Sequence, residues 1–229
     1  MPEPKAIVKF TLIAIAGYAV MTLLWPALDR PYAAWFRAVG NTCLARLWVW
    51  PDGSVRFFDA GAGDLLHQVN ARLPAPLPKG FEPPSALGER DTLLLLQNRT
   101  TPGKFGFFRT SSRIMGYAPT ALLAALALAT PVSLWRRLWV LLWGMLLVHA
   151  FILFRITIVV LKNGFAADKP YALFHPGPFW QDILRRADEV LADNPTFSYL
   201  VPVVIWLFIL MGFQVWTGMG RKPTPVNST

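Results

Sequence analysis

The chain has 229 residues, of which 54% are hydrophobic, and its mean hydropathy is +0.41. This composition is too apolar for an ordinary soluble domain of that size and predicts a protein embedded in a lipid bilayer. The formal net charge of +9 does not indicate nucleic acid as a partner, because no basic block is interleaved with aromatic residues. Cys43 is the only cysteine, which excludes an intrachain disulfide and a cysteine-built metal site.

Four apolar runs predict four transmembrane helices, since a span needs about 20 predominantly apolar residues. They are residues 7–25, 113–130, 135–161 and 197–216. Basic residues flank these runs at Lys5, Lys9, Arg136, Arg137, Arg221 and Lys222. By the positive-inside rule, they place residues 1–6, the turn between the second and third spans, and the tail 217–229 on the cytoplasmic side. The first run has no small-residue cleavage site, so we expect a retained anchor rather than a signal peptide.

The segment between the first two spans predicts an interfacial helix and a small β-containing module outside the cytoplasm. Residues 29–50 place apolar side chains at helical spacing among basic ones, which is typical of a helix lying along the membrane surface. Cys43 falls on the apolar side of this helix and is expected to be a packed small hydrophobe. Residues 51–110 form the module. We expect strands at 55–58, 92–97 and 105–109, with an irregular loop over 74–90.

A second extracytoplasmic segment, residues 162–196, joins the third and fourth spans. Its middle, residues 179–191, is amphipathic at helical spacing.

Taken together, these segments predict a fold class that is mainly α: a polytopic membrane protein with four transmembrane helices and a small β-containing extramembrane module between the first and second. The sequence contains no phosphate loop, dinucleotide fingerprint, HExxH or GxSxG motif, so we expect no cofactor and no metal.

Arg155 interrupts the third span, where an arginine costs about 2.5–3.5 kcal/mol on insertion scales. A residue that is so unfavourable there indicates a partner or a function. Three interpretations remain open. The side chain extends to the outer membrane boundary, or it forms a buried structural pair, or it binds a carboxylate or another oxyanion. Arg155 is therefore a candidate for catalysis and for partner binding.

His149, His175 and Arg113 complete the set of candidate site residues. His149 lies six residues before Arg155, about 120° around the helix, so the two do not share a face. His149 is expected to hydrogen-bond a neighbouring helix. His175 lies in the outer loop before the amphipathic segment and is a candidate general base and partner-binding residue. Arg113, at the head of the second span, is a candidate for substrate or partner binding.

The second half of the chain carries an ordered series of short motifs. They are Phe107-Phe108-Arg109 leading into Ser112-Arg113-Ile114-Met115-Gly116, then Pro131, Trp135-Arg136-Arg137, Phe154-Arg155-Ile156, and Phe174-His175 followed by Trp180-Gln181. This order resembles the exosortase/archaeosortase superfamily, multi-span membrane proteins regarded as sorting transpeptidases for proteins with a C-terminal anchor. The last pair looks most like the exosortase H branch. The length and layout also resemble a membrane-protein family associated with exosortase H.

The resemblance implies Arg155 and His175 as family site positions, but the family's cysteine nucleophile is missing. Its expected position falls near Ile114, and no cysteine occurs anywhere in that half of the chain. The position expected to hold asparagine is Ile152. The thioether of Met115 cannot replace a thiolate, because only the thiolate is a competent nucleophile. The resemblance therefore implies a degenerate member of the superfamily.

We expect a catalytically inactive, exosortase-like protein of the bacterial inner membrane with both termini in the cytoplasm. Its expected partners are the lipid bilayer, an exosortase and C-terminally anchored client proteins, but not nucleic acid. One alternative is an active membrane-embedded peptidase or transpeptidase that uses Ser111 or Ser112 with His175. Another is a structural subunit of an unrelated inner-membrane complex. The missing cysteine favours the inactive protein over the peptidase.

Overall fold

A computed structural model describes residues 4–45, 53–61, 65–71, 91–98, 105–165, 175–192, 194 and 196–219. These residues are mostly helical and include one small antiparallel sheet of three strands. The helices are α1 (Pro4–Leu23), α2 (Trp25–Cys43), α3 (Leu65–Asn70), α4 (Ala118–Ala129), α5 (Leu134–Phe165), α6 (Pro178–Ala187) and α7 (Thr196–Met219). The strands are β1 (Gly53–Asp59), β2 (Thr92–Asn98) and β3 (Phe105–Thr110). A π-helical turn, Arg113–Tyr117, leads into α4, and another, Asp188–Ala192, follows α6.

Two of the described helices, α1 and α5, are by themselves long and apolar enough to cross a membrane. A third span arises if α6 and α7 are counted together, although they meet at an angle of 83°. The apolar helix Arg113–Ala129 is shorter than a span, since 17 residues rise only about 26 Å against a hydrocarbon core of about 30 Å. The structure therefore supports a membrane protein with two or three spans, and the four predicted spans are not confirmed.

The alanine-rich helix α4 forms the centre of the bundle. It packs against α1, α5 and α7, and eight of its twelve residues are buried. Small side chains allow these approaches: a Cβ built at Gly17 of α1 would lie 3.4 Å from the Cβ of Ala125. Membrane helices associate largely by such close packing, because lipid tails are as apolar as the helix surfaces. The low bulk of α4 thus decides where the other helices lie.

The three-stranded sheet has the order β1-β2-β3 and is covered on both faces. Its central strand β2 contains four consecutive leucines, Leu93 to Leu96, all of them buried. Leu94 and Leu96 pack with Phe57, α2 and α5 on one face, whereas Leu93 and Leu95 pack with α3 on the other. A continuous apolar run is typical of a strand buried on both faces. The sheet therefore lies between α3 and the α2 side of the bundle.

Helix α2 holds the edge of this sheet through one side chain. The Asn41 amide nitrogen donates to the carbonyl of Phe57, and the Phe57 N–H donates to the Asn41 side-chain oxygen, at 3.0 and 2.9 Å. Because β1 is an edge strand, this pair satisfies backbone groups that the sheet leaves open. The ion pair between Arg37 and Asp59, at 2.9 Å, adds a second link. The predicted surface helix is thus packed against the three-stranded sheet.

Most of the elements expected from the sequence are present. The three strands and the amphipathic helix are confirmed as β1, β2, β3 and α6, and α3 was not predicted. The helix expected at 29–50 begins earlier, at Trp25, and residues 46–50 and the loop 74–90 lie outside the described residues. The expectation that Cys43 is packed was wrong, because its side chain is exposed. Cys43 follows the buried Ala33, Phe36 and Gly40 at helical spacing, but it is the last residue of α2, where the described residues do not cover it.

A first prediction concerns the packing of α5 on α4. A Cβ at Gly144 would lie 2.7 Å from a methyl carbon of the fully buried Leu123, whereas a Cβ at Gly212 of α7 would meet nothing within 4 Å. We expect Gly144→Ala to destabilise the protein by about 1–3 kcal/mol, as overpacking does. Gly212→Ala is the matched control and should leave stability unchanged or slightly raised. Equal melting temperatures of the two variants in detergent would contradict this account of α4.

Candidate functional site

Arg155 lies inside the bundle and does not extend to its surface. Its side chain is 1% exposed, and Nη1 donates a hydrogen bond of 2.7 Å to Oγ of the buried Ser198. The guanidinium carbon lies 5.8 Å from the centre of the Phe151 ring, a cation–π distance. Because Arg155 belongs to α5 and Ser198 to α7, this contact joins the two helices. Of the three interpretations, the geometry matches the buried structural contact.

A salt bridge holds the end of α5 to the segment that follows α6. Lys162 Nζ lies 2.6 Å from a carboxylate oxygen of Asp188, whose side chain is almost fully buried. Within α6, Arg185 and Arg186 both contact Asp182 and hold the pKa of that exposed carboxyl below its usual range. Helix α5 is therefore linked by Lys162 to the turn that follows α6, and by Arg155 to α7.

His149 does not face Arg155 and makes its hydrogen bond within its own helix. Its Nδ1 lies 2.7 Å from the carbonyl oxygen of Met145, four residues earlier in α5. The expected hydrogen bond to a neighbouring helix was therefore wrong for this nitrogen, because the preceding turn offers a carbonyl at shorter range. The imidazole instead meets the Trp35 ring of α2 edge-on at 4.8 Å. This arrangement makes His149 a packing residue between α5 and α2.

His175 lies directly before α6 and is exposed. The fully buried Arg155 and the exposed His175 therefore occupy different environments. A general base must come within hydrogen-bond reach of the proton that it removes, directly or through one water. In the described part of the chain, His175 makes no hydrogen bond or ion pair with Arg155, Arg113 or His149.

Ser111 and Ser112 hold the start of the helix that leads into α4. The Ser111 hydroxyl accepts the N–H of Ile114 at 3.2 Å, as a helix-capping serine does. The Ser112 N–H donates to Asp91 at 2.9 Å, and its hydroxyl makes a very short contact with the same carboxylate. Ser112 is fully buried. Both hydroxyls are thus occupied in local structure, and Ile114, the position matching the missing nucleophile, is a partly exposed apolar side chain.

Arg113 lies at a cavity inside the helical bundle. The cavity has a volume of about 300 Å³ and is lined by residues of α1, of the start of α2, of α4 and the turn before it, and of α7. The Arg113 guanidinium lies 5.9 Å from the centre of the Trp25 ring. The phenols of Tyr18 and Tyr199 meet in the same cavity. Of the four candidate residues, Arg113 is the one that the structure places beside space for a ligand.

Tyr32 belongs to an aromatic cluster next to this cavity. Its ring packs 5.3 Å from that of Tyr117 and 6.2 Å from that of Trp25. Burial raises the pKa of Tyr32 to about 12. The Tyr117 hydroxyl donates to the carbonyl of Met21 at 2.6 Å and so satisfies a carbonyl in the last turn of α1. The cluster thus packs the first half of α2 against Tyr117, beside the cavity.

Sequence reasoning missed three residues that matter here: Asp91, Tyr18 and Tyr199. Asp91 directly precedes a buried strand, and its role was hidden because its partner Ser112 lies 21 positions later. The two tyrosines were overlooked because each lies inside an apolar run. Phenols near the ends of apolar runs are a usable signal, since tyrosine is enriched at membrane–water boundaries. Among the described residues, no group of three or more His, Cys, Asp or Glu is arranged for a metal.

A second prediction concerns Asp91. Its carboxylate connects the start of β2 to Ser112, at the head of the helix that leads into α4. We expect Asp91→Ala to lower stability by about 1–2 kcal/mol, which is the cost of losing a helix cap. Asp182→Ala is the control, because it removes only solvent-exposed ion pairs, which contribute little to stability. Thermal unfolding in detergent measures the stability of both variants. An equal loss of stability in the two would show that Asp91 does not hold β2 to the helix that leads into α4.

Comparison with known proteins identifies no relative of this chain. No family model, no curated protein and no solved structure matches the chain.

Proposed function

We propose that this chain is a non-catalytic, exosortase-like protein of the bacterial inner membrane that acts as an accessory component of an exosortase sorting system. In this proposal, four apolar helices are embedded in the bilayer, both termini lie in the cytoplasm, and the sheet module lies outside. Its partners are an exosortase and the C-terminally anchored proteins that the enzyme processes. The resemblance of residues 110–185 to the superfamily motivates the proposal.

The burial of Arg155 is the observation that carries the non-catalytic part of the proposal. At this family site position the guanidinium bonds Ser198 and is 1% exposed, so it holds two helices together and has no access to a substrate. The exposed His175 and the apolar Ile114 complete a set of family positions without a nucleophile. An acyl-transfer enzyme needs a nucleophile and base within hydrogen-bond reach. The arrangement favours a fold that is retained for binding.

The contacts at the end of the bundle where α4 ends and α5 begins support the proposed topology. Trp206 Nε1 of α7 donates to the Thr130 hydroxyl at 2.8 Å, and Arg137 donates to the Thr130 carbonyl at 3.2 Å. These contacts lie beside the turn between α4 and α5, and Arg136 and Arg137 follow this turn in the first turn of α5. The Phe10 ring stacks on the Trp206 ring with 5.2 Å between their centres. Phe10 lies in the N-terminal half of α1, which also contains Lys5 and Lys9. Lys5, Lys9, Arg136 and Arg137 therefore lie towards one end of the bundle, the end that this proposal assigns to the cytoplasm by the positive-inside rule.

Affinity purification of the tagged full chain from native membranes in mild detergent, followed by mass spectrometry, tests the proposal. We expect recovery of an exosortase or of its anchored clients. Recovery of an unrelated complex would overturn the sorting role. Turnover of a labelled anchor peptide by the pure protein would overturn the non-catalytic role and favour the peptidase alternative.

A third prediction separates a structural role of Arg155 from a client-binding role. Arg155→Ala opens a cavity between α5 and α7, and we expect a loss on the order of 3 kcal/mol. Arg155→Met keeps an unbranched side chain that fills this space, so the loss should be smaller and partner recovery should stay near wild type. Loss of partner recovery in both variants, with the melting temperature of Arg155→Met unchanged, would show that the guanidinium binds the partner.

A further inference from the structure

The cavity beside Arg113 lies where three helices end or begin. Tyr18 and Thr22 belong to the last two turns of α1, and Tyr199 belongs to the first turn of α7. Arg113 begins the helix that leads into α4. Because α1 has 20 residues and rises about 30 Å, its last turns lie at the boundary between the hydrocarbon core and the headgroups. The cavity therefore lies at headgroup depth.

The polar groups of this cavity suit an anion. Arg113 carries a positive charge, and Tyr18, Thr22 and Tyr199 contribute hydroxyls. None of the described residues that line the cavity is acidic. Arginine presents a planar array of N–H donors that matches the oxygens of a phosphate. The Trp25 ring at 5.9 Å limits the directions in which the guanidinium can point.

The rim of the cavity is apolar and open. Ile114 and Tyr199 line it and are 43% and 45% exposed. Leu24 and Leu200, next to the lining residues Trp25 and Tyr199 in the chain, are also exposed. A free inorganic anion would leave this apolar surface uncovered. A ligand with an anionic group and attached hydrocarbon chains covers both parts of the site.

We propose that the cavity between α1, the turn Arg113–Tyr117 and α7 binds the phosphate of an anionic membrane phospholipid. The phosphate lies against Arg113 and the hydroxyls of Tyr18 and Tyr199, and the acyl chains leave past Ile114. Basic pockets between membrane helices are known to bind such headgroups. This inference requires that α1 lies in a bilayer, and it does not depend on the sorting role proposed above.

The fourth prediction concerns lipid retention. Native mass spectrometry of the detergent-purified full chain would count bound dioleoyl phosphatidylglycerol, with dioleoyl phosphatidylcholine as the zwitterionic comparison. We expect Arg113→Gln to bind phosphatidylglycerol about tenfold more weakly than wild type, since it loses a charge-assisted hydrogen bond. Arg136→Gln, which removes an exposed charge from the first turn of α5, is the matched control and should bind as wild type does.

Further arms identify the source of the anion. Equal binding of the two lipids, or equal binding by the two glutamine variants, would overturn the proposal. So would thermal stabilisation by inorganic phosphate that equals that by phosphatidylglycerol, because the ligand would then be a free ion. Displacement of the lipid by a stoichiometric amount of an apolar peptide with a free C-terminal carboxylate would assign the cavity to a protein. If Arg113→Gln does not fold, Tyr199→Phe serves instead and should weaken phosphatidylglycerol binding selectively.

Discussion

The close approach of α1, α5 and α7 to the alanine-rich α4 is the contact on which the rest of the structure depends. Between membrane helices the hydrophobic effect gives little net attraction, so association rests on short-range packing and on a few polar contacts. Alanines on α4, with Gly17 and Gly144 facing it, supply that packing. Because α4 is the common neighbour, its position decides which ends of the other helices meet. The Thr130–Trp206 contact and the Arg113 cavity lie at its opposite ends.

The three-stranded sheet is attached to this bundle by polar contacts at its margins and by a shared hydrophobic cluster. Asp91, at the start of β2, holds Ser112 at the head of the helix that leads into α4, and Asn41 holds α2 against the edge of β1. Between these points, the buried leucines of β2 pack on both faces of the sheet. The module and the bundle consequently share the hydrophobic cluster that includes Ile156 and Val160 of α5. A change in one part is therefore expected to affect the other.

The two arginines singled out in the sequence have different surroundings, although both lie in apolar segments. Arg155 is buried at a helix–helix contact with Ser198, where an uncompensated charge would be very unfavourable. Arg113 is half-buried at the edge of a cavity, where its charge is accessible to a ligand. Burial without access suits a structural role, whereas partial burial beside hydroxyls suits recognition of an anion. For this reason the proposed binding site is centred on Arg113.

The sequence by itself determined the membrane class, the three strands and the long helix around Arg155, because hydrophobic runs and alternation are local signals. It did not determine how many runs cross the bilayer: Arg113–Ala129 is as apolar as a span but too short to be one by length. The sequence also did not reveal that Arg155 pairs with Ser198 or that Ser112 pairs with Asp91. Those partners lie 43 and 21 residues apart, and only the packing of α5, α7 and the sheet around α4 brings them together.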